Sequence, residues 1–132
     1  MKLYGDTANL DELREMESMG LLSGVTTNPT ILSQQGADAM ATLRKITALL
    51  PDYPIFAQVT AQDHQGMVEQ GKKINTAGSH MVVKIPATNE GLKAIAALRK
   101  IGIRTCATAI LTSAEALLCS LAGASYVAPY TG

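Results

Sequence analysis

One lysine stands within a short run of otherwise apolar residues. Lys84 is the fourth residue of Met-Val-Val-Lys-Ile, which occupies positions 81–85. Near-continuous apolar runs of this length are typical of strands that are buried on both faces. Burial penalises an unpartnered ammonium and makes the neutral amine accessible. A desolvated amine is a nucleophile that forms imines with carbonyl substrates, so Lys84 is a candidate catalytic residue.

Two structural roles fit the same lysine. Its side chain could extend from an edge strand to solvent. It could also pair with a carboxylate, for which Asp6 is the candidate. The residue types alone leave these interpretations and the nucleophilic one open.

A polar residue stands at or near the end of each apolar run of the chain. The residues at these positions are Asp6, Thr26 with Asn28, Gln58, Lys84, Thr108 and Tyr130. Side chains two apart along a strand point the same way, as in Val82 and Lys84 or Cys106 and Thr108. Active sites of barrels and of open parallel sheets lie at the carboxyl ends of the strands. The pattern therefore predicts a layer of polar groups at that end.

Other candidate sites are weaker. His64 and His80 fall at loop or helix-start positions, which favours solvated surface histidines. No spacing of His, Cys, Asp and Glu matches a metal site, and the glycines match neither a P-loop nor a dinucleotide-binding motif. Cys106 and Cys119 lie in apolar surroundings, as expected for reduced thiols of a cytoplasmic protein. We predict neither a metal nor an organic cofactor.

The elements that would position these residues alternate along the chain. Short apolar runs predict strands over 3–6, 22–26, 55–59, 81–85, 104–108 and 125–128. A helical pattern follows each of the first five strands, and capping boxes are predicted at Asn9 with Glu12 and at Thr112 with Glu115. Strands that alternate with helices indicate an α/β fold with a parallel sheet.

Composition limits the class of protein further. The chain has 132 residues, of which 47% are hydrophobic, and this predicts a single domain over residues 1–132. Eleven basic and eleven acidic residues balance, which gives no electrostatic case for a nucleic-acid or anionic-membrane partner. No apolar run approaches the ~20 residues of a membrane-spanning helix. The first residues also lack the apolar region of a signal peptide.

Five ordered segments resemble the transaldolase family. They occupy positions 6–9, 24–30, 82–86, 90–95 and 122–130, and the resemblance spans the whole chain. It implies a TIM (β/α)8 barrel, of which this chain covers about the first six strands and five helices. It also implies that Lys84 is the Schiff-base lysine of a class I aldolase.

Two positions separate the branches of this family. Gln58 and Tyr130 stand where transaldolases usually carry Glu and Phe, and both resemble fructose-6-phosphate aldolase. Glutamine cannot act as a general acid or base, whereas a phenol can. The resemblance therefore implies that Tyr130 moves the protons.

The resemblance further implies a reversible cleavage of fructose 6-phosphate to dihydroxyacetone and glyceraldehyde 3-phosphate. Tyr130 would act through a water held by Gln58 and Thr108. The implied donor-binding residues are Asp6 and Asn28, which also orient the lysine, together with Thr26. A homo-oligomer without cofactors is implied as well.

Two alternatives stay open at this point. The protein could be a transaldolase that transfers a dihydroxyacetone unit between sugar phosphates. It could also be a non-catalytic barrel fragment, since the family carries eight strands and a phosphate-binding arginine that is expected beyond Gly132. We therefore expect the 132 residues to be part of a longer barrel.

Overall fold

The computed structural model describes residues 1–131 and alternates strands with helices. The elements are β1 (Leu3–Asp6), α1 (Leu10–Ser18), β2 (Leu22–Thr26), α2 (Pro29–Ser33), α3 (Ala39–Leu49), β3 (Ile55–Gln58), α4 (His64–Asn75), β4 (Met81–Pro86), α5 (Asn89–Lys100), β5 (Thr105–Ile110), α6 (Ser113–Ala122) and β6 (Tyr126–Pro129). Within residues 1–131, no helix combines the length and the apolar character needed to cross a bilayer. All six predicted strands are present, with ends that differ by up to two residues from the predicted ones.

Short-range hydrogen bonds explain where two of the helices begin. Thr112 and Glu115 form the predicted capping box at the start of α6. Asn9 caps α1 by accepting from the amides of Asp11 and Glu12. The predicted box at this helix was wrong, because Thr7 Oγ1 accepts from the Asn9 amide (3.1 Å) and donates to the Glu12 carboxylate (2.6 Å).

The chain separates into two compact units, and the first comprises 1–58 with 76–81. Here β1, β2 and β3 pair in parallel and in chain order, with Asp6 opposite Thr26 and Thr26 opposite Phe56. The core of this unit includes fully buried Leu13 and Ile46. These residues lie on α1 and α3, which pack against each other.

The second unit comprises 59–75 with 82–132, of which the structure describes the residues up to 131. Here β4, β5 and β6 pair in parallel and in chain order. Helix α5 packs between α4 and α6, and its Leu98 is fully buried. A Cβ at Gly71 of α4 would lie 2.9 Å from the Leu98 side chain, so a larger residue there would force this leucine to shift.

One irregularity interrupts the pairing of β5 with β6. Ala107 pairs with Val127 and Ile110 pairs with Pro129, so β5 carries one extra residue over this stretch. Ala109 has φ +56°, in the left-handed region that non-glycine residues seldom adopt. This β-bulge carries the strand on to Ile110, two residues beyond the predicted end. The parallel pairing confirms the predicted α/β class.

Candidate active site

Lys84 lies near the carboxyl end of β4. Its strand neighbours Val83 and Ile85 are fully buried, as predicted. The lysine itself is only partly buried, so the expectation of full burial was wrong. The reason is its place in the strand. Val82 on the same face is fully buried and Pro86 is partly exposed, so exposure increases toward the strand end.

Two contacts fix the surroundings of this lysine. Its carbonyl oxygen accepts from the amide of Val59 at 3.1 Å. On the other side, Lys84 pairs with Cys106 of β5. Paired residues of neighbouring parallel strands have side chains on the same face of the sheet. The amine of Lys84 and the thiol of Cys106 therefore share a face.

The electrostatics of Cys106 agree with this arrangement. Burial raises the pKa of its thiol from 9.0 to about 11, and the positive charge of Lys84 opposes that increase. The thiol consequently stays protonated at neutral pH and is a poor nucleophile. Of the two neighbours, Lys84 is the candidate for covalent chemistry.

Thr108 follows two residues after Cys106, at the start of the bulge. It pairs with Pro86, is partly exposed, and its carbonyl oxygen accepts from the amide of Ala87 at 2.9 Å. The strained residue Ala109 comes next. Bulges and left-handed non-glycine residues are over-represented beside active sites, where they re-aim side chains.

Tyr130 lies directly after β6 in the same unit. Its amide donates to the carbonyl oxygen of Ile110 at 3.0 Å, which fixes its backbone against β5. Its side chain is 70% exposed. A phenol in this position is open to a ligand from solvent.

Tyr126 is a further candidate that the sequence reasoning missed. It pairs with Cys106, which pairs with Lys84, so all three side chains lie on one face. Its spacing to Ala128 and Tyr130 followed the period of a strand and was a signal for the same face. Tyr126 is absent from the predicted polar layer because it begins β6 and does not end it.

In the first unit, the structure brings Asp6 and Thr26 together. The two residues pair across β1 and β2, and Thr26 Oγ1 donates to Asp6 Oδ1 at 2.8 Å. Asn28 caps α2, because its Oδ1 accepts from the Ile31 amide at 2.9 Å. This bond engages the side-chain oxygen and leaves the amide donors for a ligand. Gln58 is the partly exposed last residue of β3.

His64 is more than the solvated histidine expected. Its Nδ1 lies 2.7 Å from Glu90 Oε2, and the same oxygen accepts from the His64 backbone amide at 2.8 Å. Lys93 donates to Glu90 Oε1 at 2.7 Å. The bond from Lys93, followed by those from His64, lowers the pKa of Glu90 from 4.5 to about 2. An ionised carboxylate therefore joins the starts of α4 and α5.

Metal-ligand groups do not mark the site around Lys84. No group of three or more His, Cys, Asp and Glu residues within 1–131 could hold a metal ion. Strand pairing and the side chains that share a face define the site.

A family model described as Transaldolase/Fructose-6-phosphate aldolase matches residues 3–132. The chain belongs to this family. Six strands of parallel sheet alternate with helices, as expected for this family. The family match and the element order together confirm the predicted fold class. The chain carries about the first six strands of a TIM barrel.

Several relatives in this family align over the whole chain. A "Probable transaldolase" of Thermoanaerobacter is 44% identical over 132 residues, which are 100% of this chain and 61% of the relative. One from Clostridium acetobutylicum is 45% identical with the same coverage. One from Syntrophomonas wolfei is 44% identical, and the match covers 62% of it. The chain thus spans about 61% of the length of these transaldolase-family relatives.

Proposed function

We propose that the protein is a class I aldolase that cleaves fructose 6-phosphate through a Schiff base on Lys84. The observation that carries this proposal is the placement of Lys84. Its side chain shares a face with a protonated thiol and lies in a strand whose neighbouring residues are buried. A lysine beside buried apolar neighbours and a protonated thiol suits imine chemistry.

The first half of the proposed reaction forms and uses the imine. The neutral amine of Lys84 adds to the C2 carbonyl of the ketose, and the carbinolamine loses water to give an iminium. The C3–C4 bond then breaks, and its electron pair moves toward the iminium to give an enamine. The C4 hydroxyl loses its proton to a base, and glyceraldehyde 3-phosphate leaves.

The second half restores the amine. The enamine takes up a proton at C3, and water hydrolyses the resulting iminium to release dihydroxyacetone. Each step moves a proton without a change of oxidation state, so a single acid–base group with a bound water suffices. We assign this role to Tyr130, and we assign to the Thr108 hydroxyl the binding of the water. Thr108 lies within β5 and Tyr130 directly follows β6, and both belong to the same unit as Lys84.

The family resemblance also assigns substrate-binding roles to residues of the first unit. Asp6 and Thr26 are joined by a hydrogen bond, so a carboxylate and a hydroxyl stand side by side for a polyhydroxy ligand. Asn28 offers its amide donors. We assign donor-hydroxyl binding to these three residues and water binding to Gln58.

A transaldolase is the second candidate, and the names of the relatives favour it, since each reads "Probable transaldolase". Gln58 and Tyr130 favour the aldolase. In both reactions the dihydroxyacetone unit stays on the lysine after cleavage. The transaldolase passes it to an aldose phosphate acceptor, whereas the aldolase releases it.

The test is an assay of full-length protein with fructose 6-phosphate, with and without erythrose 4-phosphate. We expect release of glyceraldehyde 3-phosphate without the acceptor, and its loss in Lys84→Arg, because a guanidinium cannot form the imine. Lys100→Arg is the matched control, since Lys100 is an exposed lysine of the same unit. Turnover only with the acceptor would establish the transaldolase, and an active Lys84→Arg would refute both proposals.

A further inference from the structure

A cavity of about 310 Å³ opens in the first unit, and none of the residues assigned to aldol chemistry lines it. It lies between the second half of α3 and the segments that precede β3 and β4. The hydrogen-bonding side chains in its lining are Arg44, Thr47, Tyr53, Ser79 and His80. Its size is at the lower end for small-molecule sites, which begin at about 300 Å³.

The lining of this cavity carries positive charge and no negative charge. Arg44 is a permanent cation, and no acidic residue lines the cavity. Within residues 1–131, Arg44 has no carboxylate partner, whereas Arg14, Lys72 and Lys93 each have one at 2.7–2.9 Å. A guanidinium that is free to form paired hydrogen bonds suits phosphate or carboxylate.

Further donors stand beside this cation. The Tyr53 hydroxyl has no hydrogen-bond partner among residues 1–131, and Tyr53 is partly buried. Ser79 Oγ lies 3.0 Å from His80 Nδ1. If the serine donates in this bond, the imidazole carries its own proton on Nε2 and can donate it to a ligand. Arg44, Tyr53 and His80 then each supply a hydrogen-bond donor to the cavity.

One wall of the cavity is held in place by packing. Thr47 Oγ1 donates to the Ala77 carbonyl at 2.6 Å and so ties α3 to the segment before β4. A Cβ on Gly78 would lie 2.7 Å from the Thr47 side chain, so this approach depends on glycine. Leu50, Pro51 and Ala77 add apolar surface to the lining. The cavity therefore combines anion-binding donors with a small apolar wall.

We propose that this cavity binds a small phosphorylated metabolite, with its phosphate on Arg44 and His80 and its carbon chain against Leu50 and Pro51. The cationic and hydrogen-bond-donating side chains favour an anionic group on the ligand, and the small volume of the cavity favours a short carbon chain. The inference goes beyond the aldolase proposal and does not depend on it, because the cavity shares no residue with that proposal.

The test uses glycerol 3-phosphate, which has no carbonyl and cannot form an imine, and inorganic phosphate for comparison. Each is titrated into full-length protein by calorimetry, and amide NMR shifts locate the site. We expect shifts at 77–80 and tighter binding of glycerol 3-phosphate than of inorganic phosphate. Arg44→Gln should weaken this binding about tenfold or more, as expected for the loss of charge-assisted hydrogen bonds.

Lys45→Gln is the matched control, because it removes the next positive charge of α3 and does not line the cavity. It should bind as the unmodified protein does. Tyr53→Phe gives a second test with an isosteric side chain and should weaken binding severalfold. Equal affinity in Arg44→Gln and Lys45→Gln, or shifts confined to other segments, would overturn the proposal. Equal responses to phosphate, sulfate and glycerol 3-phosphate would mean an adventitious ion only and would overturn it too.

This outcome is separable from that of the aldolase proposal. Lys84→Arg should keep the binding of glycerol 3-phosphate at 77–80 even though it abolishes the imine. Loss of cavity binding in the Arg44 variant with normal aldol turnover supports the cavity site alone.

Discussion

The Tyr130 amide donates to the carbonyl oxygen of Ile110 at 3.0 Å, immediately after the bulge that contains Thr108 and Ala109. The extra residue of β5 determines which carbonyl oxygen of β5 accepts the hydrogen bond from the Tyr130 amide. Without it, the pairing that begins at Ala107 and Val127 would continue in step, and Tyr130 would shift by one residue along β5. The bulge therefore sets the backbone position of the proposed proton-transfer residue relative to Thr108.

The first prediction concerns the strain at this bulge. A left-handed alanine costs on the order of 1–3 kcal/mol, and glycine removes most of that cost. We expect Ala109→Gly to raise the free energy of unfolding by about 1 kcal/mol, as measured by urea denaturation. Ala116→Gly in α6 is the control and should lower it by about 0.5–1 kcal/mol. Equal destabilisation by both changes would show that the bulge carries no strain.

The second prediction concerns Glu90 and pH. Its pKa in the folded protein is about 2, below the ordinary 4.5, so its bonds stabilise the fold above pH 4.5. That contribution is lost as the pH falls from about 4.5 to about 2. We expect Glu90→Gln to reduce the loss of stability over this window in urea titrations. Glu17→Gln, at an exposed position of α1, should leave it unchanged. An identical pH dependence of the free energy of unfolding in both variants would contradict a stabilising role of the Glu90 carboxylate between α4 and α5.

The third prediction tests the proximity of Lys84 and Cys106. Burial raises the pKa of the thiol to about 11, so iodoacetamide should label Cys106 slowly at neutral pH in the folded protein and quickly after unfolding. Lys84→Met removes the charge that opposes this increase, and the pKa should rise further. The measurement is the pH dependence of alkylation of the Cys106 peptide. A lower pKa in a folded Lys84→Met protein would place the lysine away from the thiol.

The fourth prediction concerns the two positions that separate the branches of the family. Tyr130→Phe removes the proposed acid–base group and should reduce cleavage of fructose 6-phosphate by about 10²–10⁴-fold. Adding Gln58→Glu should raise transfer to erythrose 4-phosphate relative to cleavage. Coupled enzyme assays of both reactions measure the ratio. Efficient transfer with little cleavage in the unmodified protein would contradict the aldolase assignment.

The sequence predicted the elements well where local signals determine them. The capping box of Thr112 with Glu115 and the buried run around Lys84 are local features, and both are present. The box at Asn9 failed because Thr7, outside the helix, competes for the same groups. The resemblance to the family was correct along the whole chain.

Features that depend on the pairing of distant segments were beyond the sequence. The bulge at Ala109 exists only relative to β6, and an alanine in the left-handed region has no composition signal. The position of Tyr126 beside Cys106 likewise requires the strand register. The cavity at Arg44 joins α3 to residues more than thirty positions later, which no motif spacing indicates.

The central claim is that Lys84 forms an imine, and reductive trapping tests it most directly. Full-length protein is incubated with dihydroxyacetone and sodium borohydride, and the adduct is located by peptide mass spectrometry. We predict one reduced adduct, on Lys84, that is absent from Lys84→Arg and retained in Lys100→Arg. An adduct on another lysine, or none in a folded protein that turns over fructose 6-phosphate, would contradict the account.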